Sequence, residues 1–241
     1  VSFYQRRLKR LFPALAVTLL LTLALGALVM APSHLVDLAK SALSATLSAS
    51  NLLFWRRTSY FDDALKLNPL LHTWSLSLEE QFYLVYPLLM IGLAWLKPTR
   101  VTPALALLTG LGFAASLWWS FTASSFAFYM MPARLWAFTL GGLVWRAEPW
   151  LGAHLRRERG GLTSLGLGSL GFGLIAWSSW ALQEHDVFPG YLALLPCSGA
   201  ALLILAAPRS SGLSALYHNP LTVKLGVMSY ALYLVHWPLI A

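Results

Sequence analysis

From Leu71 to Pro87 the chain reads Leu-His-Thr-Trp-Ser-Leu-Ser-Leu-Glu-Glu-Gln-Phe-Tyr and on to Pro87. His72, Ser75, Ser77, Glu79, Glu80, Gln81 and Tyr83 stand where an otherwise apolar sequence opens another helix. Ionisable groups at the mouth of a membrane helix cost free energy to keep, so they usually serve a pathway or a reaction. Imidazole and carboxylate are the side chains that exchange protons with a reacting hydroxyl. The same residues admit a second reading. Ser77-Leu78-Glu79-Glu80 has the form of a capping box, with carboxylates suited to the positive end of a helix dipole and His72 interfacial just outside. Helix entry and chemistry are compatible.

The elements that must hold these groups are membrane helices. Hydrophobic residues make up 58% of the chain, charged residues 11%, and the mean hydropathy is +0.64, outside the range of a soluble domain. Several runs approach the twenty apolar residues a helix needs to cross the hydrocarbon core. Backbone groups find no water in lipid, which leaves helices or a closed barrel. The alternating ten-residue pattern of barrel strands is absent. The fold class is therefore all-α, a polytopic bundle expected to form a single membrane domain over 1–241. The net charge of +8 does not indicate nucleic acid, because the cations cluster in short loops between apolar runs, where they set topology. Cys197 is the only cysteine, so no disulfide forms within the chain, and it reads as a small buried hydrophobe.

Residues 1–10 are a basic collar with Arg6, Arg7, Lys9 and Arg10 ahead of a span from about Leu11 to Met30. Such a collar anchors topology at lipid headgroups, and its arginines could also grip a polyanion such as the phosphates of coenzyme A. Residues 33–71 read as a milder, non-crossing helix (Ser33–Trp55) and an outer loop with Tyr60-Phe61-Asp62-Asp63. The remaining helices fall in 72–241, at about Ser77–Leu96, Thr102–Phe121, Ala127–Trp145, Leu162–Leu182, Tyr191–Ala207 and Val223–Ala241. If Ser33–Trp55 does not cross, Lys97, Arg100, the Arg146–Arg159 loop and Arg209 share the collar's side, as the positive-inside rule requires. That gives seven crossings, although Arg56, Arg57 and Lys66 then lie outside. Glycines 166, 168, 171 and 173 read as helix-packing positions.

Other polar residues lie within spans. Arg134 is deep enough to need a partner or water, unless it snorkels to the interface. His185 and Asp186 precede the turn Pro189-Gly190, and solvated loop positions are the simpler reading for both. Helical spacing brings Ser229, Tyr233, His236 and Trp237 near one face. The six histidines show no i,i+4 pairing and no cysteine partners, so no metal site is expected. Val1 is not an initiator methionine and Ala241 ends within an apolar segment, so the sequence is expected to be a piece of a longer protein.

The run from His72 to Tyr83 resembles the His-x-Trp-Ser-Leu-x-x-Glu-Glu-Gln-Phe-Tyr motif of the acyltransferase-3 family, polytopic bacterial enzymes that O-acylate cell-envelope polysaccharides. The collar resembles the family's Phe-Tyr-x-Arg-Arg-x-x-Arg-x-x-Pro. Residues 129–142 resemble Tyr-x-x-Pro-x-Arg-x-x-x-Phe-x-x-Gly, and 226–238 resemble Gly-x-x-Ser-Tyr-x-Leu-Tyr-Leu-x-His-Trp-Pro. The resemblance implies transfer of an acyl group, most often acetyl, from acyl-CoA as co-substrate to a hydroxyl of a glycan or lipid-linked sugar, in the bacterial inner membrane and without a further cofactor. It implies Arg6, Arg7 and Arg10 as donor-binding residues. Trp74, Ser75, Tyr83, Arg134, Ser229, Tyr230 and His236 are expected to line the substrate site. The family places its principal histidine on a helix that would precede the collar, so Glu79, Glu80 and His72 are secondary acid/base residues. The family's last helix, after Pro238, is likewise outside this sequence. Two other classes compete: a transporter or flippase of a lipid-linked sugar, for which intramembrane charge is equally expected, and an inactive scaffold.

Overall fold

The computed structural model describes residues 2–57, 65, 67–157, 162–183, 186–206, 214–215 and 217–241. Tyr60 to Asp63, Lys66, Arg159, His185 and Arg209 lie outside the described residues. Ten helices appear among the described residues, and no strand: α1 (Ser2–Val29), α2 (Pro32–Thr46), α3 (Ser50–Arg57), α4 (Thr73–Ala94), α5 (Pro98–Thr122), α6 (Ser124–Tyr129), α7 (Met131–Arg157), α8 (Leu162–Ala181), α9 (Leu194–Ala206) and α10 (Pro220–Ile240). The stretches Phe3–Val29, Pro98–Thr122, Leu162–Ala181 and Pro220–Ile240 are long and apolar enough to cross a membrane. Their outer faces carry exposed Leu20, Leu25, Leu28, Leu107, Leu111, Leu170 and Val227, a surface suited to lipid rather than water. The chain is thus a helical membrane protein. Of the seven expected crossings, four meet both length and composition among the described residues. The expected Tyr191–Ala207 span is the 13-residue α9, about 20 Å long and short of the hydrocarbon thickness.

The chain forms two compact units: Val1–Leu84 with Lys224–Ala241, and Val85–Val223. In the first, Leu15 and Leu19 of α1, Leu38, Ala42 and Ala45 of α2, Leu70, Leu76 and Leu234 make one buried apolar cluster. The expected non-crossing helix is two helices that meet at an elbow, Leu47-Ser48-Ala49. Ser48 has φ 55°, its N–H donates to the Ala45 carbonyl at 3.1 Å, and the Ala49 N–H donates to the Ser44 carbonyl at 2.8 Å. That pair of bonds is the Schellman ending of a helix, with Ser48 where glycine is usual. At 15 and 8 residues, neither piece is long enough to span.

In the second unit α5 packs on α7 and α9 packs on α8. Trp136 is buried against Phe113, ring centroids 5.0 Å apart, and the Thr109 hydroxyl donates to that of Thr139 at 2.9 Å. Two of the glycines have a steric cause. A Cβ on Gly171 would lie 2.7 Å from the Gly199 carbonyl oxygen, and the reverse contact is also 2.7 Å, whereas Gly166 and Gly173 face open space. The expected Ala127–Trp145 span is interrupted. Met130 is extended at φ −102°, ψ 136°, and α7 then restarts with Pro132 in its first turn, where a missing N–H costs nothing.

Candidate active site

Helix α4 begins at Thr73, five residues before the Leu78 start that a capping box at Ser77 requires. Ser77 is therefore inside the helix, and its hydroxyl oxygen accepts instead from the Ser50 N–H at 3.1 Å, one of the donors left open at the start of α3. One turn on, the Ser48 hydroxyl donates to Glu80 Oε2. Gln81 Nε2 donates to the Ser48 carbonyl at 2.9 Å and to Asn51 Oδ1 at 2.8 Å. The polar run of α4 thus clasps the α2–α3 elbow. Ser48 and Asn51 were not foreseen. The Gln81 beside the glutamates was the one sequence sign that a backbone turn was to be held here.

Glu79 and Glu80 diverge because adjacent helical positions point about 100° apart. The half-buried Glu80 faces a cavity of about 500 Å³ lined by Tyr4, Arg7, Thr46, Ser48, Glu80 and Tyr83 among others. Glu79 is at the surface, within electrostatic range of Arg7 and of Glu80. The collar arginines also separate. Arg7 lies over the Tyr83 ring at 4.5 Å and the Phe3 ring at 5.6 Å, a cation–π arrangement that fixes its guanidinium above the cavity. Arg6 and Arg10 are exposed. The Tyr230 hydroxyl ties α10 to α1 through the Leu11 carbonyl at 3.2 Å.

His72 lies about 12 Å from Glu80 along the α4 axis, at 1.5 Å per residue, so the two do not share one reacting atom. Its ring is buried at 6% exposure and packs edge-on against Tyr233 and His236, centroids 5.4 and 5.3 Å away. Neither ring nitrogen has a well-formed hydrogen bond, although the Leu234 and Pro69 backbone lies close enough to favour the charged ring weakly. Burial first, and then the neighbouring His236, bring the His72 pKa from 6.5 down to about 4. The Tyr233 hydroxyl donates to the His72 carbonyl at 2.8 Å and also meets the Ser75 hydroxyl. Trp237 Nε1 donates to the Asn68 carbonyl at 3.0 Å, and Asn68 Nδ2 donates to Ser41 Oγ at 2.9 Å. Trp74 is half-buried on α4, while Ser229 is exposed with its hydroxyl donating to its own helix at the Gly226 carbonyl, 2.8 Å.

A second cavity of about 320 Å³ lies at the other end of α1, lined by Met30, His34, Asp37, Arg57 and Asn68. Arg57 bonds Asp37 at 2.9 Å with Lys40 nearby at 3.5 Å, and the Arg57 bond holds the Asp37 carboxyl below the usual carboxylate range. Arg134 belongs to the second unit. It is bracketed by the Phe128 and Phe188 rings at 5.5 and 5.1 Å and donates to the Phe128 carbonyl at 3.3 Å. Among the described residues no three His, Cys, Asp or Glu side chains converge as metal ligands.

Helices α1, α2 and α4 thus bring a carboxylate, the Ser48 hydroxyl and the ring-stacked Arg7 to one cavity. The chain belongs to the acyltransferase-3 family: the model of its acyltransferase domain matches residues 1–241. The chain is 32% identical over 242 residues to a Komagataeibacter xylinus protein described as a membrane-bound transacylase, BcsY, covering 99% of this chain and 58% of that one. It is 28% identical over 251 residues to the O-acetyltransferase OatA of Staphylococcus aureus, covering 100% and 41%. It is 26% identical over 249 residues to the peptidoglycan O-acetyltransferase OatA of Listeria monocytogenes, covering 99% and 40%. The chain therefore spans about half the length of the curated relatives it matches. No solved structure matches it.

Proposed function

We propose that the protein is a membrane-bound O-acyltransferase of the bacterial inner membrane, moving an acyl group, acetyl by preference, from acyl-CoA to a hydroxyl of an envelope polysaccharide or lipid-linked sugar. The observation that carries this reading is the Glu80 carboxylate, engaged by the Ser48 hydroxyl, in a cavity under the collar arginines. Arg6 and Arg10, exposed on α1, meet the phosphates of the donor, and Arg7 closes the cavity over Tyr83. The acceptor oxygen forms a bond to the thioester carbonyl carbon while the carbon–sulfur bond breaks. Glu80 takes the hydroxyl proton and returns it to the departing thiolate, so the products are an ester and free CoA thiol. General-base assistance of this kind contributes on the order of 10² to 10⁴ in rate.

Relatives named as transacylase and O-acetyltransferases support the same reading. The test is turnover of radiolabelled acetyl-CoA by the full-length protein in membranes supplied with isolated envelope glycan. Glu80→Gln is expected to lower ester formation by about 10² to 10⁴ while donor binding survives, and the Arg6→Ala/Arg10→Ala pair is expected to raise the KM for the donor. Glycan moved across the membrane with no donor consumed would overturn the proposal in favour of transport.

A further inference from the structure

Ser48 holds a left-handed backbone conformation, φ 55°, at the helix-ending position that glycine occupies at least strain. Its hydroxyl donates to Glu80 and its carbonyl accepts from Gln81. The residue lines the same cavity as Arg7 and Tyr83. Two observations thus disagree with a purely structural turn: the conformation favours glycine, and the side chain that glycine lacks is the one in contact with the carboxylate. Strained backbone held by surrounding contacts collects at functional sites. Here the surroundings that impose it are visible, because Gln81 grips the carbonyl and Ser77 caps the helix that follows.

We propose that Ser48 is the positioning residue for Glu80, a serine retained against its backbone preference so that its hydroxyl aims the carboxylate into the cavity. The inference rests on the reading of Glu80 as the base. A hydrogen-bond donor fixes one carboxylate oxygen and so selects one rotamer, which leaves the other oxygen for the acceptor hydroxyl. Without it the half-buried carboxylate samples several orientations and only a fraction of them is productive.

The experiment uses the full-length protein, acetyl-CoA and envelope glycan, with turnover and thermal midpoint read on the same preparations. Ser48→Gly is expected to melt close to the wild-type temperature, because relief of the left-handed strain offsets the lost bond to Glu80. It is expected to lose about tenfold in kcat, the scale of one hydrogen bond to a charged group, with the donor KM within twofold. Ser48→Thr returns the hydroxyl on a β-branched residue that tolerates positive φ poorly, so it is expected to melt lower and yet recover most of the turnover. In a Glu80→Gln background Ser48→Gly is expected to add no further loss, as coupled residues fail to add. Turnover of Ser48→Gly within twofold of wild type, or losses that multiply in the double variant, would overturn the inference. If Glu80→Gln alone leaves turnover intact, the base assignment itself fails, and that outcome is distinguishable from failure of Ser48.

Discussion

The buried histidine gives the sharpest test of the site's packing. His72 has an ordinary pKa of 6.5 when the chain is unfolded and about 4 in the folded protein, so the folded state binds fewer protons in that window. Stability is therefore at its full value above pH 6.5 and falls as pH drops toward 4, below which it levels off. The full shift corresponds to about 3 kcal/mol. At pH 5 the unfolded ring is almost wholly charged and the folded one almost wholly neutral, so about 2 kcal/mol is already lost. His72→Gln removes the titration. The amide can cost stability through imperfect bonding, but that cost does not vary with pH. The assay is the thermal midpoint of the detergent-solubilised protein between pH 7 and 5, wild type against His72→Gln. The wild-type midpoint should fall more steeply on acidification, and the difference in slope is the quantity of interest. Equal slopes, or a wild type that gains stability on acidification, would refute the argument that burial and His236 keep this ring neutral.

Five further variants have expected outcomes. Ser77→Ala leaves the buried Ser50 N–H without its acceptor and should cost about 1–3 kcal/mol, read as a lower thermal midpoint. Gly171→Ala should destabilise by about 1–3 kcal/mol, because its Cβ meets a backbone oxygen of α9 that cannot swing aside. Gly173→Ala, two residues on in open space, should be neutral or slightly stabilising in the same melt. Arg7→Lys keeps the charge but loses the planar stack on Tyr83, so it should lower the thermal midpoint by the equivalent of about 0.5–2 kcal/mol. Arg10→Ala should scarcely alter the melt and should instead raise the donor KM.

The helices were legible because apolar runs of spanning length have few other fates. The Leu71–Pro87 run was legible as a polar cluster because its residue types are too costly to be accidental in such a chain. Hidden from the sequence was what those residues would touch. Ser77 and the glutamates carry a helix-start signature, yet α4 starts at Thr73, and the serine caps a different helix 27 positions away in sequence. Local pattern records which groups can cap, and tertiary contact decides what they do cap. The break at Ser48 was invisible for a related reason: serine carries no glycine-like turn signal, and the grip of Gln81 and Glu80 that helps hold the turn comes from another element. The glycines looked equivalent, although Gly171 meets a backbone oxygen while Gly166 and Gly173 face open space. Glu79 and Glu80 are neighbours in sequence, yet the rotation between adjacent helical positions gives them different surroundings.

The first compact unit is assembled from two stretches far apart in sequence, Val1–Leu84 and Lys224–Ala241. At ribosomal speeds of 5–20 residues per second, on the order of ten seconds separate the emergence of the two parts. Throughout that interval the carbonyls of Leu11, Asn68 and His72 await the donors on Tyr230, Trp237 and Tyr233. A polypeptide released before Tyr230 would leave these three carbonyls without their donors. The packing of this unit is complete only once Lys224–Ala241 has emerged.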